Sequence, residues 1–239
     1  MNWQILDTGR ASALQNMEMD RRLLLELQSD GPSILRFYEW SGDSATYGYF
    51  TTPFKFLKED SVQRHQLQLA RRPTGGGILF HLTDLTFSLL IPASHPHFSL
   101  NTLDNYRFVN SFVATAVHQF LGETEPLQLL AQEEKFQEAA CQHFCMAQPS
   151  QYDVMLKGGK VGGGAQRRTK QGYLHQGTIS LAMPTESYLK ELLLPDSPVL
   201  SAMQRYHVSL LGAEVTSKQL GQARRAMQEH LTQVILAKK

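Results

Sequence analysis

Five of the seven residues from Gly158 to Gly164 are glycine, and Lys160 and Val161 are the two exceptions. Glycine weakens helices and strands alike, so this density marks backbone that must approach something closely. A lysine inside it is a compact cation, suited to polarising an acyl carbonyl or holding a phosphate. A second run, Gly75-Gly76-Gly77, follows Arg71-Arg72-Pro73-Thr74. Without Cβ atoms these residues can turn backbone N–H groups toward one anion or carbonyl, and the two arginines can add charge. Taken on residues alone, each run also suits a hairpin turn, the first with a solvated lysine. The spacing is that of neither a P-loop, whose Lys-Ser/Thr pair is missing, nor a dinucleotide fingerprint.

With 239 residues, the expectation is one domain over residues 1–239 with a substantial core and no C-terminal accessory domain. A net charge of +1, with the basic residues scattered in short pairs, argues against a nucleic-acid partner. No apolar stretch is long enough to span a membrane, and the start Met1-Asn2-Trp3-Gln4 lacks the features of a signal peptide. Two cysteines are too few for a disulfide scaffold, so a cytoplasmic protein with reduced thiols is expected.

Hydrophobic periodicity predicts helices over residues 7–28, 104–121, 184–193 and 217–238, a helical turn at 59–65 and helical structure at 131–143. Short apolar or alternating runs predict strands at 33–40, 44–50, 68–72, 85–91, 152–156 and 177–181, the last two around a glycine-rich turn. The resulting fold class is α/β, of the α+β type, closed by the C-terminal helix. Cys141, His143 and Cys145 are too few for a structural zinc site, and no metal is expected. On residues alone Cys145 is open between a small buried apolar residue and a nucleophile. His95 and His97 are expected in an exposed loop.

Together these segments resemble the lipoate–protein ligase A and octanoyltransferase family, whose catalytic domain is related to that of biotin–protein ligases. The stretch Arg71-Arg72-Pro73-Thr74-Gly75-Gly76-Gly77, continuing to His81, matches its first signature. Lys160-Val161-Gly162-Gly163-Gly164-Ala165-Gln166-Arg167-Arg168, followed by His175-Gln176-Gly177-Thr178, matches its second. Asp7-Thr8-Gly9, Asn16-Met17, Leu35-Arg36-Phe37-Tyr38-Glu39-Trp40 and Tyr49-Phe50 are also similar, so the likeness spans about the first 180 residues.

The resemblance implies a mixed, largely antiparallel sheet flanked by helices, the biotin/lipoate protein ligase catalytic fold. It implies an acyl tunnel lined by both glycine-rich segments, with Leu79, Phe80, Phe87 and Val161 as lining candidates. The product is an amide between an octanoyl or lipoyl chain and a lysine of a lipoyl domain. Acceptors of that kind are the lipoyl domains of 2-oxoacid dehydrogenases and the glycine cleavage H protein. Lys160 and Cys145 are then the catalytic candidates. Arg71, Arg72, Thr74, Gly75, Gly76, Gly77, His81, Gly162, Gly163, Gly164, Ala165 and His175 are candidates for holding the acyl chain or a nucleotide. Either His81 or His175 is a candidate proton acceptor. No prosthetic group is implied.

The family has two branches. Ligases adenylate free lipoate with ATP and magnesium; octanoyltransferases take the chain from octanoyl-acyl carrier protein, one type holding it on cysteine. Cys145 precedes Pro149-Ser150, Tyr152 and Lys160 at the spacing seen around that cysteine, and the chain ends where the transferases end. Gly77 instead follows the ligase form of the first signature, where cysteine-type transferases carry arginine. Leu82 replaces the usual aspartate after His81, which leaves room for a non-catalytic binder of lipoyl proteins. The transferase reading is favoured.

Overall fold

The computed structural model describes residues 2–122, 127–132, 139–212 and 215–237. Strand β6 (Asp84–Pro92) is buried along its whole length, as its apolar run requires, and so lies inside the larger sheet. That sheet contains β1 (Trp3–Ala11), β2 (Ser33–Trp40), β6, β7 (Gln128–Leu129), β8 (Val154–Leu156), β9 (Gly159–Arg168) and β10 (Gly172–Ser180). Its order is β1-β2-β6-β10-β9-β8-β7, antiparallel except for the β1–β2 pair. A second sheet sets β3 (Ser44–Tyr47) between β4 (Gln68–Arg71) and β5 (Ile78–His81).

Helices α1 (Ala13–Glu26), α2 (Glu59–Arg64), α3 (Thr102–Leu121), α4 (Glu186–Leu192), α5 (Val199–Tyr206) and α6 (Ser217–Ala237) complete the chain. The apolar stripe of α3, with Val109, Phe112, Val113 and Val117, meets Leu35, Phe87 and Leu89 of the large sheet. Met227 and Leu231 of α6 close the same core, and Gly122 ends α3 with φ +63, the left-handed cap that glycine favours. A second core joins Ala45, Ile78 and Phe80 of the small sheet to Phe144, Leu189, Val199 and Met203.

The predicted helix at 7–28 divides: residues up to Ala11 form β1, and α1 starts at Ala13. Ser12 sets that boundary, since its side chain accepts from the Gln15 N–H while the Gln15 side chain accepts from the Ser12 N–H. The predicted turn over the glycine run around Lys160 is instead strand β9, paired on both edges; the reversal is confined to Lys157 and Gly158, both at positive φ. Strand β3 stops at Tyr47, and α5 was not anticipated. Of the helical expectation at 131–143, residues 133–138 lie outside the described residues and Ala139–His143 forms a 3-10 turn.

Candidate active site

A cavity of about 530 Å³ opens between the loop joining β4 to β5 and the glycine-rich half of β9, a size usual for small-molecule sites. Its walls include Leu79, Phe80, Phe144, Met146 and Val161, with polar groups gathered around Cys145 and Lys160.

The glycine loop is held from two sides. Arg72 is buried; its Nη2 donates to the carbonyls of Gly75 (3.0 Å) and Gly77 (2.8 Å), and its Nη1 to Thr46 Oγ1 (2.7 Å). On the other side, Thr74 Oγ1 donates to Gln176 Oε1 at 2.7 Å, and Gln176 Nε2 donates to Asp20 Oδ2 at 2.7 Å. Asp20 also accepts from Arg36 Nη1 (2.6 Å) and Ser88 Oγ (2.8 Å), all of them buried. A carboxylate only accepts, so Asp20 fixes the Gln176 amide with its oxygen toward Thr74.

Cys145 lies against this loop. Its backbone N–H donates to Ile78 O at 3.0 Å, and its Sγ is 3.9 Å from Arg72 Nη2. A Cβ on Gly76, whose φ is +89, would stand 3.4 Å from that sulfur. A Cβ on Gly77 would fall 2.2 Å from the carbonyl oxygen of His143. Glycine at 77 is therefore demanded by the chain segment that carries Cys145.

Lys160 reaches the cavity from β9, its Nζ 2.7 Å from Asp153 Oδ2. The same carboxylate oxygen accepts from the Ser150 N–H (2.7 Å) and Oγ (2.9 Å). The glycines beside the lysine make room for these neighbours. A Cβ at Gly163 would lie 2.2 Å from Asp153 Oδ1, and one at Gly164 would lie 2.2 Å from His175 Nε2. Here the absent side chains serve contacts within the protein as much as the cavity.

His81 also lines the cavity, bonded through Nδ1 to Asp84 Oδ2 (2.7 Å) and through Nε2 to Thr46 Oγ1 (2.8 Å), with its ring stacked on Trp40. Asp84 is thus the carboxylate beside His81, and Leu82 packs against the second core. Burial alone would raise the Asp84 carboxyl, but His81 beside it and the hydrogen bond from Thr178 hold it below the usual carboxylate range. His175 is fully buried and bonded at Nδ1 to the Gln166 side chain; burial pushes its pKa down to about 3. His207, bonded to Ser180 at 2.7 Å, is likewise lowered to about 3 by burial and then by the Lys160 charge.

Of the residues singled out by sequence, the cavity brings together Arg72, Gly75, Gly76, Gly77, His81, Cys145, Lys160, Gly162, Gly163, Gly164 and Ala165. Thr74 sits behind the loop, His175 behind Gly164, and Phe87 in the core under Gly177. Arg71 is exposed, its guanidinium over the Tyr49 ring at 4.9 Å. Cys141 is buried in the second core, and the His143 ring stacks on Phe56. His95 is buried rather than exposed, packed edge-on to Trp3. Among the described residues no group of three His, Cys, Asp or Glu is placed to hold a metal, and no helix is long and apolar enough to cross a membrane. Asp20, Asp84, Asp153, Gln176 and His207 were missed as site residues; only Gln176 lay inside a recognised motif.

The family profile described as the lipoyl protein ligase A/B catalytic domain matches residues 12–233. The octanoyltransferase LipM of Bacillus subtilis is 29% identical over 205 residues, covering 85% of this chain and 74% of its own. That of Lysinibacillus sphaericus is 30% identical over 207 residues with the same coverage. Among solved structures, a bipartite lipoate protein ligase of Thermoplasma acidophilum, studied with its E2 lipoyl domain, superposes with a TM-score of 0.70 at 21% identity, over 98% of this chain and 84% of that one. A lipoate-protein ligase A bound with ATP gives 0.67 at 23% identity, over 97% and 86%. At those identities the structural likeness is one of fold.

Proposed function

Because this chain belongs to the lipoyl protein ligase A/B catalytic family, we propose that it is an octanoyltransferase acting through Cys145. It takes an octanoyl group from acyl carrier protein and passes it to a lysine of a lipoyl domain, in a 2-oxoacid dehydrogenase or the glycine cleavage H protein. The observation that carries this reading is the placing of Cys145: its sulfur faces Gly76 on the cavity, 3.9 Å from the Arg72 guanidinium.

In the first step the Cys145 thiolate attacks the thioester carbonyl of the donor. A sulfur–carbon bond forms, and the carrier's thiolate leaves and takes up a proton. In the second, the neutral amine of the acceptor lysine attacks the Cys145 thioester; the amide forms and the Cys145 thiolate returns. Lys160, fixed by Asp153, stabilises the oxyanion of each tetrahedral intermediate, with backbone N–H groups near Gly75, Gly76 and Gly77 assisting. Of the two histidine candidates, His81 lines the cavity, and paired with Asp84 it takes the proton that the acceptor amine must lose. Neither ATP nor magnesium enters these steps.

The feature that favoured a ligase, Gly77, follows here from the approach of His143 and carries no preference for ATP chemistry. The test is intact-mass analysis. Octanoyl-carrier protein without ATP should add one octanoyl mass to the enzyme, removable by hydroxylamine, and then modify a lipoyl domain. Cys145→Ala should lose both adduct and transfer, while Cys141→Ala keeps both. Full activity of Cys145→Ala with octanoate, ATP and magnesium would establish the ligase route instead.

A further inference from the structure

Phe50 is 92% exposed and Tyr49 46%, although both rings are large and apolar. The fold uses this segment through its backbone. Gly48 lies so close to the glycine loop that a Cβ would fall 1.8 Å from Gly76 O. The Tyr49 N–H donates to Thr74 O at 3.0 Å, and Thr51 Oγ1 donates to Gly76 O at 3.0 Å. Gly76, which this segment holds, faces the Cys145 sulfur. Two exposed guanidiniums flank the Tyr49 ring, Arg71 at 4.9 Å and Arg167 at 5.8 Å. Among the described residues no carboxylate pairs with either. Arg167 also donates to Pro73 O at 3.2 Å; exposed aromatics beside arginines without a carboxylate partner are the side chains that anchor protein interfaces.

We propose that Tyr49, Phe50, Arg71 and Arg167 form the docking rim for the acyl carrier protein, receiving its acidic face and the phosphate of its prosthetic arm. This rests on the octanoyl-transfer reading above. The donor is favoured over the acceptor by charge. The carrier's acyl thioester hangs on a pantetheine arm whose phosphodiester stays an arm's length from the reacting carbonyl. Cations at the rim suit an anionic carrier and its phosphodiester. The acceptor instead leads with a lysine, which two guanidiniums repel. Such a rim raises the association rate in a salt-dependent way.

Phe50→Ala and Arg167→Glu test this by half-reaction. Each is compared with the unaltered enzyme for adduct formation from octanoyl-carrier protein and from octanoyl-pantetheine, then for onward transfer from pre-acylated enzyme to a lipoyl domain. The expected result is a fall of about tenfold in kcat/KM with the carrier, a weaker salt dependence for Arg167→Glu, and unchanged pantetheine and onward-transfer rates. An unchanged carrier rate overturns the proposal. So does an equal fall with octanoyl-pantetheine, and so does a loss confined to onward transfer, which would assign the rim to the acceptor. An unaltered enzyme that forms no adduct with either donor would overturn octanoyl transfer itself, and the rim with it.

Discussion

The Lys160 ammonium lies 2.7 Å from the Asp153 carboxylate, in a pair whose side chains are 10% and 3% exposed. Removing one member of a buried pair leaves the other charge uncompensated, whereas removing both relieves it. Lys160→Ala should therefore lower adduct formation on the order of a hundredfold, by loss of oxyanion stabilisation, and also destabilise the fold. Adding Asp153→Ala should restore part of the melting temperature but none of the rate. Recovery of the rate in the double variant would show that the lysine acts only in packing.

Gly76 and Gly77 should fail differently. Gly77→Ala drives a Cβ to within 2.2 Å of His143 O and must displace the segment bearing Cys145. It should lower both stability and adduct formation. Gly76→Val meets the left-handed φ of +89 and also fills the space before the sulfur, so roughly 1–2 kcal/mol of stability is lost along with the site. Melting with and without octanoate separates these effects: Gly76→Val should no longer be protected by octanoate.

Thr74 and Asp20 do not share a hydrogen bond, yet both act through Gln176. Asp20→Asn can offer an amide N–H to Gln176 and so turn its amide, leaving Thr74 without its acceptor. Thr74→Val removes the same bond from the other end. In a double-mutant cycle on the rate of Cys145 acylation the two losses should be non-additive. Simple additivity would mean that Gln176 does not couple them.

Acid should unfold the protein through its buried histidines. His175 and His207 both fall from 6.5 to about 3, first through burial. Their contribution is intact above pH 6.5; below it the unfolded chain takes up protons that the folded chain refuses. Stability then falls as pH drops toward 3, by about 1.4 kcal/mol per pH unit for each group. Urea midpoints between pH 7.5 and 4.5 should show this slope, and His207→Gln should flatten it.

The strands and helices with strong periodicity were legible in the sequence, among them β2, β6 and α3, because each buries one continuous apolar face. Strand β1 was not. Most of its residues are exposed, so its place at the sheet edge comes from backbone pairing with β2 and leaves no alternating pattern to read. The glycine run of β9 was recognised as close-approach backbone but mistaken for a turn, since the contacts that explain it come from Asp153 and His175. The two signatures contained Lys160 and both glycine segments, and Cys145 was singled out by its spacing before Lys160. Asp20, Asp84 and Asp153 could not be found that way: each matters through the groups it holds in the fold, and a lone aspartate carries no sign of its partners in sequence.

Lys160 is tied through its carbonyl to the Val208 N–H at 2.9 Å, and Met227 and Leu231 of α6 complete the core behind β9. During synthesis Cys145 leaves the ribosome before Lys160 and His207, which line the same cavity. Until Val208 has emerged, the backbone of Lys160 lacks this partner. A chain truncated before Val208 should therefore leave the strand that carries Lys160 without its partner on that side.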